Sequence, residues 1–555
     1  MPLFPICNVL GYTCLFLAWI VPDHIPPWNT FPQESLTILG ISLLWPWHRL
    51  RVWPVRLFVM ALLWIGIAGF QHAFHLIDMG DLLFASLLAV FFTMAATLGA
   101  QAVSTIQSPS AGPIPASLQG WCLVLVAAAL TNSVIGLAQW QGVTQGLFMH
   151  GSAGRVYGNL AQPNQFATLM VLALGALVCL DDQKRLRGGW PHVAAFLLVF
   201  ALAASESRTG ALAITMLVLA VIVGGGPARA SMRWLLPAFL LFWLFYIGWQ
   251  PISSWLGGSV SRSGVGFNSS SRFELWQQML EAIALRPWMG YGWLNVGQAQ
   301  QAVAHYLGGA TNMDHAHNLF FDIFIWFGLP VGGFLVLASI AWGFQSMRAV
   351  FTEHKPRAQD AFPYLLMLLP ISVHSMLEYP FAYMYFALVF AFFAGALEAA
   401  LGYTRPLGVR GRHMVSACAL VGVLCATWIG AEYVEIEKDY RALRMEREFV
   451  TRPDAKHDYA TPPVILTQFG TLIAALRVEP QAPVDSDTLE SVRRAAARFP
   501  WLITQQHYYL VLLANNHCED AARQRLVLES LFGKFGIAKT EEAVEQRGLN
   551  TRCNL

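Results

Sequence analysis

The chain has 555 residues, of which 56% are hydrophobic and 12% are charged, and its mean hydropathy is +0.48. This composition is too apolar for an ordinary soluble enzyme of this length and is typical of a polytopic membrane protein. The formal net charge of +2 comes without a basic tail or an interleaving of basic and aromatic residues, so we expect no nucleic-acid partner.

Apolar runs of about twenty residues, the length that crosses a bilayer, recur up to residue 429. They predict an all-α bundle of about thirteen transmembrane helices. The first run, residues 3–21, lacks a basic start and a cleavage site, so we interpret it as a span and not as a signal peptide. The second, residues 35–47, is short. The predicted spans are centred near residues 12, 41, 66, 92, 130, 174, 197, 217, 242, 330, 368, 392 and 423.

The charges of the connectors between spans indicate their orientation, because connectors rich in Lys and Arg stay in the cytoplasm. In a thirteen-span count all basic connectors fall on one side, together with the amino terminus. The connectors rich in other polar residues, at 141–165, 205–210, 251–318 and 374–380, then lie outside with the carboxyl-terminal segment. The basic connectors carry Arg49, Arg51 and Arg56; Lys184, Arg185 and Arg187; Arg229 and Arg233; Arg348, Lys355 and Arg357; and Arg405, Arg410 and Arg412.

The composition changes at Glu432 from apolar to charged. We therefore predict a transmembrane domain at residues 1–431, with a long external loop at 251–318, and an external helical domain at 432–555. Four to six amphipathic helices are expected in this tail, and they could stack as tetratricopeptide-like hairpins, although no 34-residue period is visible. Only Cys518 and Cys553 lie where a disulfide could form, and we do not expect one.

The first chemically interesting connector, residues 155–165, reads RVYGNLAQPNQ and leads directly into an apolar run. Pro163 can set the start of that helix, and the amides before it can bind hydroxyls or phosphate oxygens. A simple capped turn would use the same residue types. The candidate substrate-binding residues here are Arg155, Asn159, Gln162, Asn164 and Gln165.

Two further connectors each place an arginine beside a span. Arg208, in SESRTG, either pairs with Glu206 or binds an anion, because a guanidinium cannot be discharged. Arg272 follows three serines in the first turn of a predicted helix, where its charge opposes the helix macrodipole and a nearby anion would offset this. The run RPWMGYGW at 286–293 could be a tight turn at the membrane interface.

The string DHAHN at residues 314–318 directly precedes residues 319–337, which are apolar except for Asp322 and long enough to cross a bilayer. Ionisable groups at membrane depth are costly and indicate function, and histidine titrates near neutral pH. The later EYP at 378–380 contributes the candidate Tyr379.

Two other interpretations of the histidines stay open. Asp314, His315 and His317 are competent zinc ligands, although no further His/Cys pair has ligand spacing. The histidines could also simply bind backbone carbonyls.

Taken together, the external connectors offer fixed cations, a general base and several amides, which suits a lipid-linked pyrophosphate substrate. Arginines can neutralise a departing diphosphate by bidentate contacts, so we expect no metal and no cofactor. A histidine can take the proton from an attacking hydroxyl. A single displacement at the anomeric carbon would invert its configuration.

These segments resemble the O-antigen ligase and polymerase superfamily, and within it the PglL-type bacterial O-oligosaccharyltransferases. The matching strings are YGNLAQPNQ, SRTG, SR and HAHN, which begin at residues 157, 207, 271 and 315, and the resemblance covers nearly the whole chain. It implies His317 as the base, with His315 as second choice, and Arg208 and Arg272 as diphosphate-binding cations. It also implies a functional tyrosine at or near Tyr379, an amide role for Gln162 or Gln165, and Arg155 as a further cation.

The same resemblance implies the substrates. The donor would be an oligosaccharide on undecaprenyl pyrophosphate, and the acceptor a Ser or Thr of a periplasmic protein such as a pilin. The enzyme would lie in the bacterial inner membrane with its active site on the periplasmic face.

Three alternatives remain at this stage: an O-antigen ligase that acts on lipid A-core, a repeat-unit polymerase, and a transporter or flippase. The long tail favours a protein acceptor over lipid A-core. The charges cluster at one surface, whereas a transporter would carry charges in mid-span along a path.

Overall fold

The computed structural model describes residues 3–47, 50–106, 117–143, 155–182, 188–224, 227–258, 270–308, 312–352, 356–447, 463–549 and 553. Within these ranges the chain is almost entirely helical, and its one sheet pairs β1 (Val52–Trp53) with β2 (Arg405–Pro406) in antiparallel register. The helices are α1 Leu3–Leu17, α2 Phe31–Leu44, α3 Val55–Ala73, α4 Met79–Ile106, α5 Leu118–Trp140, α6 Pro163–Asp182, α7 Trp190–Ala204, α8 Arg208–Gly224, α9 Met232–Ile247, α10 Trp249–Trp255, α11 Ser270–Leu285, α12 Val296–Ala304, α13 Leu319–Thr352, α14 Pro356–Ser375, α15 Met384–Ala400, α16 Val409–Arg447, α17 Thr467–Leu476, α18 Ser486–Arg498, α19 Leu502–Ala514 and α20 Cys518–Gln546.

The helices are consistent with a multi-pass helical membrane protein. Among the described residues, seven helices are long and apolar enough to cross a bilayer: α3, α4, α5, α6, α9, α13 and α16. Five shorter apolar helices, α1, α7, α8, α14 and α15, cover further predicted span centres, and α2 covers the centre near residue 41. The count of thirteen spans and the orientation stay predictions, and Arg49, Lys184, Arg185, Arg187 and Lys355 of the basic connectors lie outside the described residues.

By packing, the chain forms two compact units. The first comprises Met1–Trp64, Leu87–Val265 and Ala341–Ala426, and nearly all of its helix α6 is buried against α5, α7, α8 and α14. Glycines allow the close crossing of α4 and α15 in this unit, because a Cβ on Gly99 or on Gly395 would lie 1.8 Å from a carbonyl oxygen of the other helix.

The second unit comprises Ile65–Ser86, Gly266–Ile340 and Thr427–Leu555, so it joins part of the predicted external loop to the tail. Helix α12 of the loop packs against α18 and α20 of the tail. Arg498 of α18 donates to Asp81 at 2.9 Å and to the Asn295 side-chain oxygen at 3.1 Å, which ties the tail to the loop. The expected boundary at residue 431 stays a prediction, and the last segment of this unit begins at Thr427.

The tail folds as expected into consecutive packed helices, with α17 against α18, α18 against α19 and α19 against α20. Its strongest polar contact is the fork of Arg477, which donates to both carboxylate oxygens of Asp439 and to Glu446. Our expectation about the cysteines was wrong, because Cys518 and Cys553 form a disulfide. The fold of the tail returns the end of the chain to the start of α20, which the spacing of the two cysteines does not reveal.

Helix α13 is broken at Gly328, whose backbone adopts φ 70° and ψ 179°. Pro330 has no N–H to donate to the carbonyl of Trp326, and this carbonyl instead accepts from the Gln71 side chain at 2.6 Å and from Gly292 N at 3.2 Å. Residues 319–327 therefore form a separate half-helix before residues 329–352, which are apolar up to Phe344 except for Ser339.

The glycine-aromatic turn at 286–293 is the partner of this break. Tyr291 N donates to the Ile325 carbonyl at 2.8 Å, and Leu329 N donates to the Pro287 carbonyl at 2.7 Å. Glycine is required for this approach, because a Cβ on Gly290 would lie 2.4 Å from the Ile325 oxygen. The turn therefore holds the half-helix in place.

Candidate functional site

The connector before α6 and the connector before α8 meet through Arg155. Its Nε donates to the Ser205 carbonyl at 2.9 Å, and its terminal nitrogen donates to the Glu206 carbonyl at 3.3 Å. Glu206 has a left-handed backbone (φ 48°), which places it in the tight turn between α7 and α8. Arg155 is half-buried, and it fixes the turn that precedes Arg208.

A buried polar chain joins three connectors of the first unit. Asn164 donates to Glu378 at 2.9 Å and accepts from the Ser207 hydroxyl at 2.6 Å. The Ser207 oxygen in turn accepts from Gly210 N at 3.0 Å and thereby caps α8, whose first residue is the exposed Arg208. The position of Arg208 therefore depends on hydrogen bonds that run from Ser207 through Asn164 to Glu378.

Tyr379 is connected to α6 through a second polar group. The Tyr385 hydroxyl donates to Gln165 at 2.8 Å, and the Tyr383 side chain hydrogen-bonds both Gln165 and Tyr379. Desolvation raises the pKa of Tyr383 well above its usual range, so its hydroxyl stays protonated at neutral pH. The half-buried Tyr379 stacks on Tyr383, with ring centroids 5.9 Å apart.

The predicted amide residues differ in how they use their side chains. Asn159 is buried and donates to the Ile20 carbonyl at 2.8 Å, so it anchors the connector to the turn that follows α1. The Gln162 oxygen accepts from Gln165 N at 2.8 Å at the start of α6, and Gln162 is half-buried. Asn159, Asn164 and Gln165 therefore have internal partners, whereas Gln162 reaches the surface. Their role in substrate binding stays a prediction.

The histidine string is organised by Asp322, which is buried in the first turn of α13. One Asp322 oxygen accepts from Ala316 N at 2.7 Å, and the other lies 3.3 Å from His315 Nδ1. Because a carboxylate beside an imidazole fixes the orientation of the ring, Asp322 positions His315, and the two side chains form a candidate pair within the string.

His317 has a left-handed backbone (φ 54°), which is uncommon for residues other than glycine. Its Nε2 lies 3.2 Å from the sulfur of Met313. The next residue, Asn318, caps α13 through a bond from Phe320 N of 2.9 Å. Strained backbone of this kind concentrates at functional sites.

Arg272 lies in the first turn of α11, as predicted, and is half-buried. One turn later, the indole N–H of Trp276 donates to the Ala316 carbonyl at 3.0 Å, between the two histidines. Helix α11 is therefore bound directly to the histidine string.

The predicted site residues thus form two groups, each assembled within one compact unit. The second unit holds Arg272, His315 and His317. The first unit holds Arg155, Asn159, Gln162, Asn164, Gln165, Arg208 and Tyr379.

Sequence reasoning assigned no role to Asp322, Trp276, Ser207 or Glu378. Asp322 carried a signal, because it is the one acidic residue in an apolar run, but its partner could not be read from spacing. Within the described ranges, no group of three or more His, Cys, Asp or Glu side chains is placed to hold a metal ion.

Comparison with known families places matches along most of the chain. Residues 156–180 match the protein glycosylation ligase family, residues 193–337 the O-antigen ligase family, and residues 363–545 the family described as virulence factor membrane-bound polymerase, C-terminal. The first match contains the amide connector, and the second contains Arg208, Arg272 and both histidines.

Two relatives from Acinetobacter baylyi are similar over much of their length. The general O-oligosaccharyltransferase is 26% identical over 95% of this chain and 92% of its own length. The ComP-specific O-oligosaccharyltransferase is 26% identical over 70% of both chains. These matches support a PglL-type O-oligosaccharyltransferase of the O-antigen ligase superfamily, and the chain is accordingly a glycosyltransferase.

Proposed function

We propose that this enzyme transfers an oligosaccharide en bloc from undecaprenyl pyrophosphate to a Ser or Thr hydroxyl of a periplasmic protein such as a pilin. The observation that carries the proposal is the histidine string, which is held between Asp322 and the helix of Arg272. The names of the two relatives support O-linked transfer of a glycan to protein.

In the proposed reaction, His317 takes the proton of the acceptor hydroxyl as its oxygen attacks the anomeric carbon. The pair of His315 and Asp322 holds the string in register, and His315 is the alternative base. The bond from the sugar to the diphosphate breaks in the same step, so the configuration at the anomeric carbon is inverted.

The leaving diphosphate gains charge as this bond breaks, and fixed cations stabilise that charge. We assign this role to Arg272 and Arg208, with Arg155 as a further cation, and we expect no divalent metal to be needed.

Two observations support a periplasmic site and a protein acceptor. The disulfide between Cys518 and Cys553 is of a kind that persists in oxidising compartments. The tail belongs to the same compact unit as the histidine string, and the general O-oligosaccharyltransferase matches this chain over nearly its full length.

The test is expression in a host that supplies a lipid-linked glycan, a pilin and lipid A-core. Mass spectrometry should find the glycan on a pilin serine or threonine. Glycan on lipid A-core alone would identify an O-antigen ligase, and longer lipid-linked chains alone would identify a repeat-unit polymerase; either result contradicts the proposal.

A further inference from the structure

Helix α11 presents an apolar stripe on the side that faces away from its unit. Phe273, Leu280 and Ala284 are spaced by seven and four residues, so they share one helix face, on which the exposed Gln277 is the one polar residue. Phe273 is 64% and Leu280 57% exposed. The opposite face is already packed, because it buries Leu275, Met279, Ala282 and Ile283.

The stripe continues into the turn that follows the helix. Trp288 is 76% exposed, and its backbone lies against Gly328 at the break in α13. Pro287 accepts the hydrogen bond from Leu329 N, the first residue after that break. Leu329 and Leu337 are also exposed, and they belong to residues 329–352.

This continuity indicates what covers the stripe. Residues 329–352 are long enough to cross the hydrocarbon layer, so the level of Leu329 marks one end of that crossing. An exposed tryptophan at this level is typical of the interface between lipid and water. Arg272 and Arg286 lie at the two ends of α11, and the guanidinium of the exposed Arg286 lies over the Tyr291 ring, 4.7 Å from its centroid. Basic residues that flank an apolar helix face are typical of helices in the membrane interface.

We propose that α11 lies in the membrane interface, with the stripe of Phe273, Leu280 and Ala284 in contact with bilayer lipid. The helix is then bound on one face by protein and on the other by lipid. This inference rests on the membrane-crossing part of α13 and not on the transfer reaction.

One consequence rests on the proposed function. A helix at this depth holds Arg272 at the level of lipid phosphates, where the diphosphate of a lipid-linked donor lies. The histidine string, joined to α11 through Trp276, would then meet the donor just outside the headgroups.

The test uses the full-length chain in vesicles of phosphatidylethanolamine and phosphatidylglycerol. The six free cysteines are replaced by alanine while the Cys518–Cys553 disulfide is kept. A nitroxide is attached at Phe273→Cys or Leu280→Cys, and at Arg523→Cys on the exposed face of α20 as the aqueous control. Each variant is first compared with the unlabelled chain by thermal unfolding.

Collision of each nitroxide with oxygen and with a water-soluble nickel complex is then measured by electron paramagnetic resonance. We expect oxygen collisions to dominate at positions 273 and 280, and nickel collisions to dominate at 523. Nickel collisions that dominate at 273 and 280 would refute the proposal. Protection from both reagents, lost on dilution of the protein in lipid, would also refute it, because a second copy of the chain would then cover the stripe.

Discussion

The contact between Asp322 and the histidine string makes a quantitative prediction for Asp322→Asn. The substitution keeps an oxygen that can accept from Ala316 N, but it removes the negative charge beside His315 Nδ1. Because Asp322 is only 1% exposed, water screens this charge little. A hydrogen bond to a charged group contributes about 1.5–3 kcal/mol, which corresponds to about a 10- to 150-fold loss of turnover.

The assay is the initial rate of glycan transfer to a purified acceptor in proteoliposomes, at saturating lipid-linked donor. Asp181→Asn is the matched control, because Asp181 is also buried but binds Ser231, Arg233 and Trp234 away from the predicted site residues. We expect Asp181→Asn to lower the unfolding temperature while the turnover changes little. If Asp322→Asn turns over within about twofold of wild type, which is under about 0.5 kcal/mol, Asp322 has no role in positioning the string.

A double substitution tests whether His315 and Asp322 act as a unit. Residues that act together are strongly non-additive in their effects on rate. His315→Ala combined with Asp322→Asn should therefore be no slower than His315→Ala alone. Multiplied losses would show that the two side chains act independently.

Three other predictions concern the frame of the site and its metal requirement. Gly290→Ala should cost more than about 2 kcal/mol of stability and most of the activity, because the added Cβ would meet the Ile325 oxygen. Gly402→Ala should cost only about 1–2 kcal/mol, since Gly402 also has a left-handed backbone (φ 79°) but has open space around it. Equal unfolding temperatures for the two variants would contradict the conclusion that the turn at 286–293 holds the half-helix in place. Arg477→Ala should destabilise the tail by about 1–3 kcal/mol, as measured by limited proteolysis. The control Arg493→Ala breaks an exposed ion pair and should cost under about 1 kcal/mol. Equal losses of stability in the two variants would show that Arg477 is not the main polar contact of the tail. Transfer should survive a chelator, and a loss restored only by Mg²⁺ or Zn²⁺ would overturn the metal-free scheme.

The helical character of the chain could be read from the sequence, because hydrophobic periodicity and composition report it directly, and a helix lies at each predicted span centre. The break in α13 could not, because GLP at 328–330 looks like an ordinary tolerated kink in a span until the turn at 286–293 is found to supply its missing hydrogen bonds.

The site divides in the same way. The positions of Arg272 and the histidine string were predictable as local features beside helix starts. Their connection through Trp276, and the chain from Ser207 to Glu378, are contacts between residues 40 or more positions apart, and no local pattern encodes them. The amides were predictable as a group, but only packing shows that Asn159 and Gln165 bind within the fold.

The central claim is that His317 is the base that activates the acceptor hydroxyl. The most direct measurement is the intact mass of the acceptor protein from cells that supply the lipid-linked glycan and express either wild-type enzyme, His317→Ala or the control His305→Ala. His305, in the same compact unit, is also half-buried, and it is not part of the string. We expect glycosylated acceptor with wild type and His305→Ala, and none with a stably inserted His317→Ala. Wild-type levels of glycosylated acceptor with His317→Ala would contradict the account.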